Sequence, residues 1–171
     1  MQHTRNPLGQ PVRAIANWLN LATPLGLVVA RAGRARLRRG PDRLWIGEGY
    51  GWAFPKAGAF TIGSVVITPH QSLDALVGRN PDLWEHERAH ALQWALCLGL
   101  PFLPFYLLAT IWSQLRTGTN HGANFFEVQA GLAKGGYRPA EPVQRTFRRA
   151  AERFCWRCSR SRRNRLTSSG S

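Results

Sequence analysis

At 171 residues with 44% hydrophobic side chains, the chain is long enough to bury one core and too short for two ordinary domains. Its net charge of +14 is concentrated at the ends. Residues 1–43 hold eight Arg against one Asp and residues 135–171 ten Arg against two Glu, while 44–134 is close to neutral, with five basic and six acidic residues. Basic arms of this kind favour polyanions, either nucleic acid or an anionic membrane face. Three cysteines, two of them in the C-W-R-C run at Cys155 and Cys158, do not make a disulfide framework or a paired zinc ribbon.

In chain order, the first feature is the uncharged run from Ala14 to Ala30, followed by Arg31, Arg34, Arg36, Arg38 and Arg39. Charge after an apolar run, rather than before it, excludes an ordinary secretory signal. The run is read either as an interfacial or anchoring helix with its basic end on the cytoplasmic side, or as an ordinary domain helix with a solvated end. From Arg43 to Thr68, glycines punctuate short β-branched and aromatic runs. Leu44–Gly47 and Ala59–Thr68 are expected as strands of a hairpin or small sheet. A short helical turn is expected over Ser72–Val77.

Asn80, Pro81 and Asp82 form a helix-start signal, with Glu85 near the positive end, so a helix is expected from about Pro81 to Cys97. That helix carries "HERAH", His86 to His90, an H-E-x-x-H pattern. At this chain's own His and Glu frequencies the pattern arises by accident in about one such chain in 200, so it needs support from elsewhere. Residues four apart share a helix face, so His86 and His90 can present two imidazoles to one ion. Glu87, beside the first, can reach a metal-bound water as general base. A catalytic zinc also needs a third protein ligand, for which Glu127 and His121 are the downstream candidates.

Residues 91–115 are uncharged and long enough to cross a bilayer, but Gly99, Pro101 and Pro104 interrupt them. A buried helical pair or a hydrophobic hairpin partly entering the membrane is expected. A loop at 117–122 leads to a short helix, Ala123–Lys134, ended by Gly135 and Gly136. From Tyr137 the chain becomes an Arg-rich tail, expected to be partly disordered.

Three segments, "HERAHALQ" at 86–93, "LPFLPFYLLA" at 100–109 and "NFFEVQA" at 124–130, together with "PLGLVVARAGRAR" and "AGAFTIGSVVIT", resemble small bacterial proteins of the minimal gluzincin type. In these zinc proteases the third ligand is a Glu on a following helix. The resemblance covers about residues 7–137 and implies His86, His90 and Glu127 as ligands of Zn2+, with Glu87 as general base. Phe125 stands where the pattern has Pro, and no Asp follows Glu127 to orient a metal-bound imidazole. Gln93, Asn120 or Asn124 would have to take that part. Tyr106, His121 and Tyr137 are candidates to stabilise an oxyanion.

The expectation is therefore a mainly helical α+β protein, with a zincin-like motif helix and a following ligand helix after a small hairpin or sheet. Its divisions would be a basic segment 1–43, a zincin-like domain 44–137 and a tail 138–171. Its expected activity is zinc-dependent hydrolysis of a peptide or protein substrate at the cytoplasmic side of the bacterial inner membrane, held there by anionic lipid. Nucleic acid is the competing partner. The competing function is a non-catalytic membrane-associated or polyanion-binding protein with a structural or vestigial metal site.

Overall fold

The structure, a computed structural model, describes residues 9–53, 58–69 and 72–137. The Arg-rich tail, with Cys155 and Cys158, lies outside the described residues. The run read as one N-terminal helix is two, α1 (Gly9–Leu19) and α2 (Ala22–Ala32), bent by 73°. Leu21 turns the chain with a left-handed φ of 64°, and the Asn20 side chain accepts a hydrogen bond from Ala22 N at 3.0 Å, an Asx turn that competes with helix continuation. Pro24 falls in the first turn of α2, where its missing N–H costs no helical bond.

Strand β1 (Arg36–Arg39) lies inside the Arg cluster and pairs antiparallel with β2 (Trp45–Tyr50), in register Arg36 with Glu48 through Arg39 with Trp45. The Arg39 guanidinium sits 3.7 Å over the Trp45 ring, and Arg38 forms an exposed ion pair with Glu48 at 3.1 Å. A division after residue 43 thus falls inside a hairpin, and α1 is tied to the motif helix by Asn17, which donates to the Ala91 carbonyl at 2.8 Å. Residues 9–43 pack as part of the same body.

The expected strand at 59–68 is a hairpin of β3 (Phe60–Ile62) and β4 (Val65–Pro69). Gly63 takes the positive φ, 59°, that its two-residue turn requires at the first position. β4 also pairs parallel with β2, giving a mixed sheet in the order β1-β2-β4-β3 with β3 at one edge.

The alternation of β4 divides the core. Val65 and Ile67 pack with Ala30 of α2 on one face; Val66 packs with Leu73, Leu83 and Ala91 on the other. Gly26 lets α2 lie against the sheet at backbone distance, since a Cβ there would stand 2.5 Å from the Ile62 carbonyl oxygen.

On the opposite face, α3 (Leu73–Arg79) precedes α4 (Leu83–Leu96), the motif helix, which begins two residues later than expected. Ser72 caps α3 by accepting from Ala75 N at 3.3 Å. The apolar run then turns at Leu98–Gly99 into α5 (Phe102–Thr117). Pro104 does not break this helix because it lies in the first turn. α6 (Phe125–Ala130) is shorter than expected and stops at Gly131, φ 91°. Trp94, Phe102, Phe126 and Ala22 form the cluster that joins α4, α5, α6 and α2. The architecture is α+β and mainly helical, with six helices and a four-stranded mixed sheet among the described residues.

Candidate metal centre

One turn of α4 places His86 and His90 on the same buried face, their Nε2 atoms 3.1 Å apart. α6 brings Glu127 against them. Its Oε2 is 3.3 Å from His86 Nε2 and its Oε1 3.5 Å from His90 Nε2. These are the three residues expected as ligands, and all are buried. His121, the other candidate, is not in the group; it stacks on Tyr137 with ring centroids 4.2 Å apart.

Hydrogen-bond partners fix both imidazoles. His86 Nδ1 lies 3.2 Å from the Gly131 carbonyl oxygen, which can only accept. His90 Nδ1 lies 2.8 Å from Gln93 Oε1. The Gln93 amide is oriented by its NH2 group, which donates to the Phe126 carbonyl at 2.9 Å and to Gln129 Oε1 at 3.0 Å, so its oxygen faces His90. Both Nδ1 atoms therefore carry hydrogen, and both Nε2 lone pairs point at the same place. Gln93 takes the orienting part that the sequence left without an Asp. Asn124 does not. It caps α6 by accepting from Phe126 N at 3.0 Å and donates to Thr110 Oγ1 at 3.0 Å, which seats Glu127 rather than an imidazole.

Three acceptors so close together need a cation or protons between them. With both Nδ1 hydrogens committed, a hydrogen bond between the Nε2 atoms makes one ring imidazolium. Burial opposes that charge on His90, but the facing Glu127, with Glu87 and Gln93, outweighs it and raises the His90 pKa. Burial likewise pushes Glu127 up, yet His86, His90 and Tyr106 hold it well below the usual carboxylate range. A metal ion fits the same place. Tetrahedral zinc with bonds of about 2.0–2.1 Å separates its ligand atoms by about 3.3 Å, against 3.1, 3.3 and 3.5 Å here. The buried Glu127 Oε2 also has no hydrogen-bond partner among the described residues, as a coordinating oxygen would not.

Tyr106 donates a hydrogen bond from its hydroxyl to Glu127 Oε1, so it orients the carboxylate and is not free to serve an oxyanion. Tyr137 lines the same cavity as Tyr106 and Glu127. Its ring stands edge-on to His86 at 5.9 Å, and burial, with Glu127 and Glu87 nearby, pushes its phenol up to about 12, so it keeps its proton at neutral pH. The phenol makes no hydrogen bond among the described residues.

Glu87 is buried beside the pair and accepts a hydrogen bond from Thr61 Oγ1 at 2.6 Å. Thr61 belongs to the edge strand β3 and was not among the residues singled out from the sequence. Neither was the Gly131 carbonyl. Thr61 stood in an apolar strand with no signal of its partner, and a backbone oxygen has no signature in the sequence. The Thr61 carbonyl is occupied by Trp94 Nε1 at 2.9 Å, so this edge offers little backbone for an added strand.

His86, Glu87, His90 and Glu127 line a cavity of about 650 Å³ whose other walls are mostly apolar, among them Tyr50, Phe60, Trp94 and Phe102. A second, more polar hollow of about 270 Å³ shares His86, Glu87 and Tyr137 and extends toward Arg79 and Asn80. His86, Glu87 and Tyr137 thus line both hollows, while His90 and Glu127 line only the larger. No protein-family model, curated protein or solved structure matches the chain.

Proposed function

We propose that the protein is a zinc-dependent peptidase that hydrolyses peptide bonds beside large apolar side chains. The observation that carries this reading is the convergence of His86 Nε2, His90 Nε2 and the Glu127 carboxylate within 3.1–3.5 Å, with Glu87 at their side on an apolar cleft. Two imidazoles and a carboxylate are a donor set suited to catalytic zinc. When bound, zinc supplies Lewis acidity and a water made acidic enough to attack an amide carbonyl at neutral pH.

Glu87 takes the proton of the attacking water and returns it to the leaving amine. Thr61 holds one Glu87 oxygen at 2.6 Å, which fixes the carboxylate plane while the residue faces the cleft. Tyr137 donates a hydrogen bond to the oxygen that gains charge. Gln93 and the Gly131 carbonyl hold the imidazoles, and Tyr106 and Asn124 hold Glu127, so the acceptor set is in place before a metal arrives. The apolar walls select bulky apolar residues next to the scissile bond.

The test is the metal content of the purified full chain by elemental mass spectrometry, followed by assay on a quenched peptide library. Near-stoichiometric zinc is expected in the wild type and is expected to be lost in His86→Ala and Glu127→Ala. Glu87→Gln should keep zinc while hydrolysis falls by about 10²–10⁴. A wild type that takes up no zinc would refute the site. A Glu87→Gln variant as active as wild type would refute Glu87 as the general base, and a zinc-loaded wild type that hydrolyses nothing would leave a structural metal in a binding protein.

A further inference from the structure

Two helices are built with their polarity reversed. In α1, Arg13 and Asn17 are buried while Val12, Ile15, Trp18 and Leu19 face outward. The buried pair is bonded to the interior: Arg13 donates to the Asp42 carbonyl, and Asn17 donates to the Ala91 carbonyl at 2.8 Å and to Ser64 Oγ at 3.2 Å. In α5 a polar stripe, Tyr106, Thr110, Ser113 and Thr117, turns inward and bonds to Glu127, Asn124, Thr119 and the Ser113 carbonyl. Leu103, Leu107, Leu108, Ile111, Trp112 and Leu115 are left on the outside. A helix in water is ordinarily built the other way round.

The two faces meet. Asn20, at the bend between α1 and α2, donates to the Trp94 carbonyl at 3.4 Å, and a Cβ on Gly99 would stand 2.6 Å from the Asn20 carbonyl oxygen. The bends after α1 and α4 therefore abut. They gather Leu19 at 78% exposure and Leu98 at 75%, with Leu21, Leu96 and Leu100 around them. The face carries no Asp, Glu, Lys or Arg between Arg88 and Arg116. At its far end the Arg116 guanidinium lies 5.4 Å over the Trp112 ring, a pairing suited to the boundary between hydrocarbon and headgroup. Exposed Arg31 lies in the last turn of α2 and exposed Arg34 just beyond it, and the chain as a whole carries +14.

We propose that the outward faces of α1 and α5, joined at the two abutting bends, seat the protein on an anionic lipid bilayer. Large contiguous apolar surface needs an occupant, and the excess of Arg selects a negatively charged one. In this seating α5 lies along the bilayer and does not cross it. α5 is about 24 Å long by its 16 residues, short of a hydrocarbon core of about 30 Å, and among the described residues no single helix is long and apolar enough to span. Leu103 lies both on this face and in the wall of the apolar cleft, and Trp52, 53% exposed, lines the same cleft. Seating therefore brings the cleft toward the lipid surface, where substrates with apolar segments are found.

The experiment is flotation of the full chain with vesicles of phosphatidylglycerol and phosphatidylcholine, in low salt and in about 0.5 M salt, which screens the basic arms. Wild type is expected to float in both. Ile15→Glu/Leu19→Glu and Leu107→Glu/Ile111→Glu change only outward-facing side chains, so they should keep the wild-type circular dichroism and unfolding temperature. Each pair is expected to lose flotation at high salt by at least tenfold. His86→Ala should float as wild type does, which separates this surface from the metal site. Flotation of the glutamate variants equal to wild type at high salt would overturn the proposal, because another surface would then hold the protein, and so would a wild type that floats only in low salt, because charge alone would then hold it. So would a wild-type dimer in light scattering that the glutamates dissociate, since a second copy would then be the occupant.

Discussion

Gln93→Leu separates the metal reading from a merely structural one. Gln93 is buried and holds three groups: His90 Nδ1 at 2.8 Å, the Phe126 carbonyl at 2.9 Å and Gln129 Oε1 at 3.0 Å. Leucine of similar size leaves His90 Nδ1 buried without a partner, at about 1–3 kcal/mol, and removes a bond to the Phe126 carbonyl, so the metal-free variant should unfold earlier. The diagnostic quantity is the increment from zinc. At a free zinc concentration of 100 times the wild-type Kd, binding adds about 2.7 kcal/mol of stability. Loss of an imidazole's orienting partner weakens metal binding by about 10–100-fold, which lowers that increment to about 1.4–0.4 kcal/mol. Thermal unfolding with and without buffered zinc reads both effects, and Gln93→Glu, which keeps an acceptor for Nδ1, should retain the full zinc increment. The reasoning fails if Gln93→Leu lowers the metal-free stability and leaves the zinc increment unchanged, because Gln93 then only ties α4 to α6.

The pH dependence of the metal-free protein has a definite sign. The raised His90 pKa stabilises the folded state fully below the unfolded value of about 6.5, and that stabilisation is lost as pH rises through the folded one. The depressed Glu127 pKa stabilises above the unfolded value of about 4.3, and this is lost as pH falls toward the folded value. Unfolding temperatures in chelator should therefore fall from pH 6.5 upward, while the zinc increment grows as His90 gives up its proton; a metal-free protein that gains stability over that range contradicts the assignment. Gly135→Ala would put a Cβ 2.8 Å from His86 Nε2, so zinc uptake by equilibrium dialysis should weaken at least tenfold, whereas Gly78→Ala, with nothing within 4 Å, should leave uptake unchanged and stabilise α3 by about 0.5–1 kcal/mol. Thr61→Val removes a hydrogen bond to a carboxylate, at about 1.5–3 kcal/mol. It should leave zinc content intact and slow hydrolysis, and wild-type turnover in that variant would show that Thr61 does not position Glu87.

The motif helix could be read ahead because its determinants are local, whereas Glu127 stood beside His121 as a candidate and was singled out by the resemblance. The four-residue spacing of His86 and His90 needs only helical geometry, and Asn124 caps α6 wherever that helix lies. The parts that could not be read depend on pairing across the chain. β1 is an Arg run whose extended form comes from its ladder to β2, and charge alone suggested the basic end of a helix. Thr61 meets Glu87 only because β3 is the edge strand nearest α4. Period alone shows that α1 and α5 each have two faces, but the face turned inward is decided by partners such as the Ala91 carbonyl and Asn124, far off in sequence.

The backbone contact between α2 and β3 gives the site a remote handle. Gly26 leaves no gap against Ile62, and the residue before Ile62 is the one that braces Glu87. A methyl group at position 26 would have to push β3 toward α4 or lift α2 away from it. Natural variation at a buried glycine, far from any imidazole, would then tune the geometry around Glu87 while His86, His90 and Glu127 stayed the same.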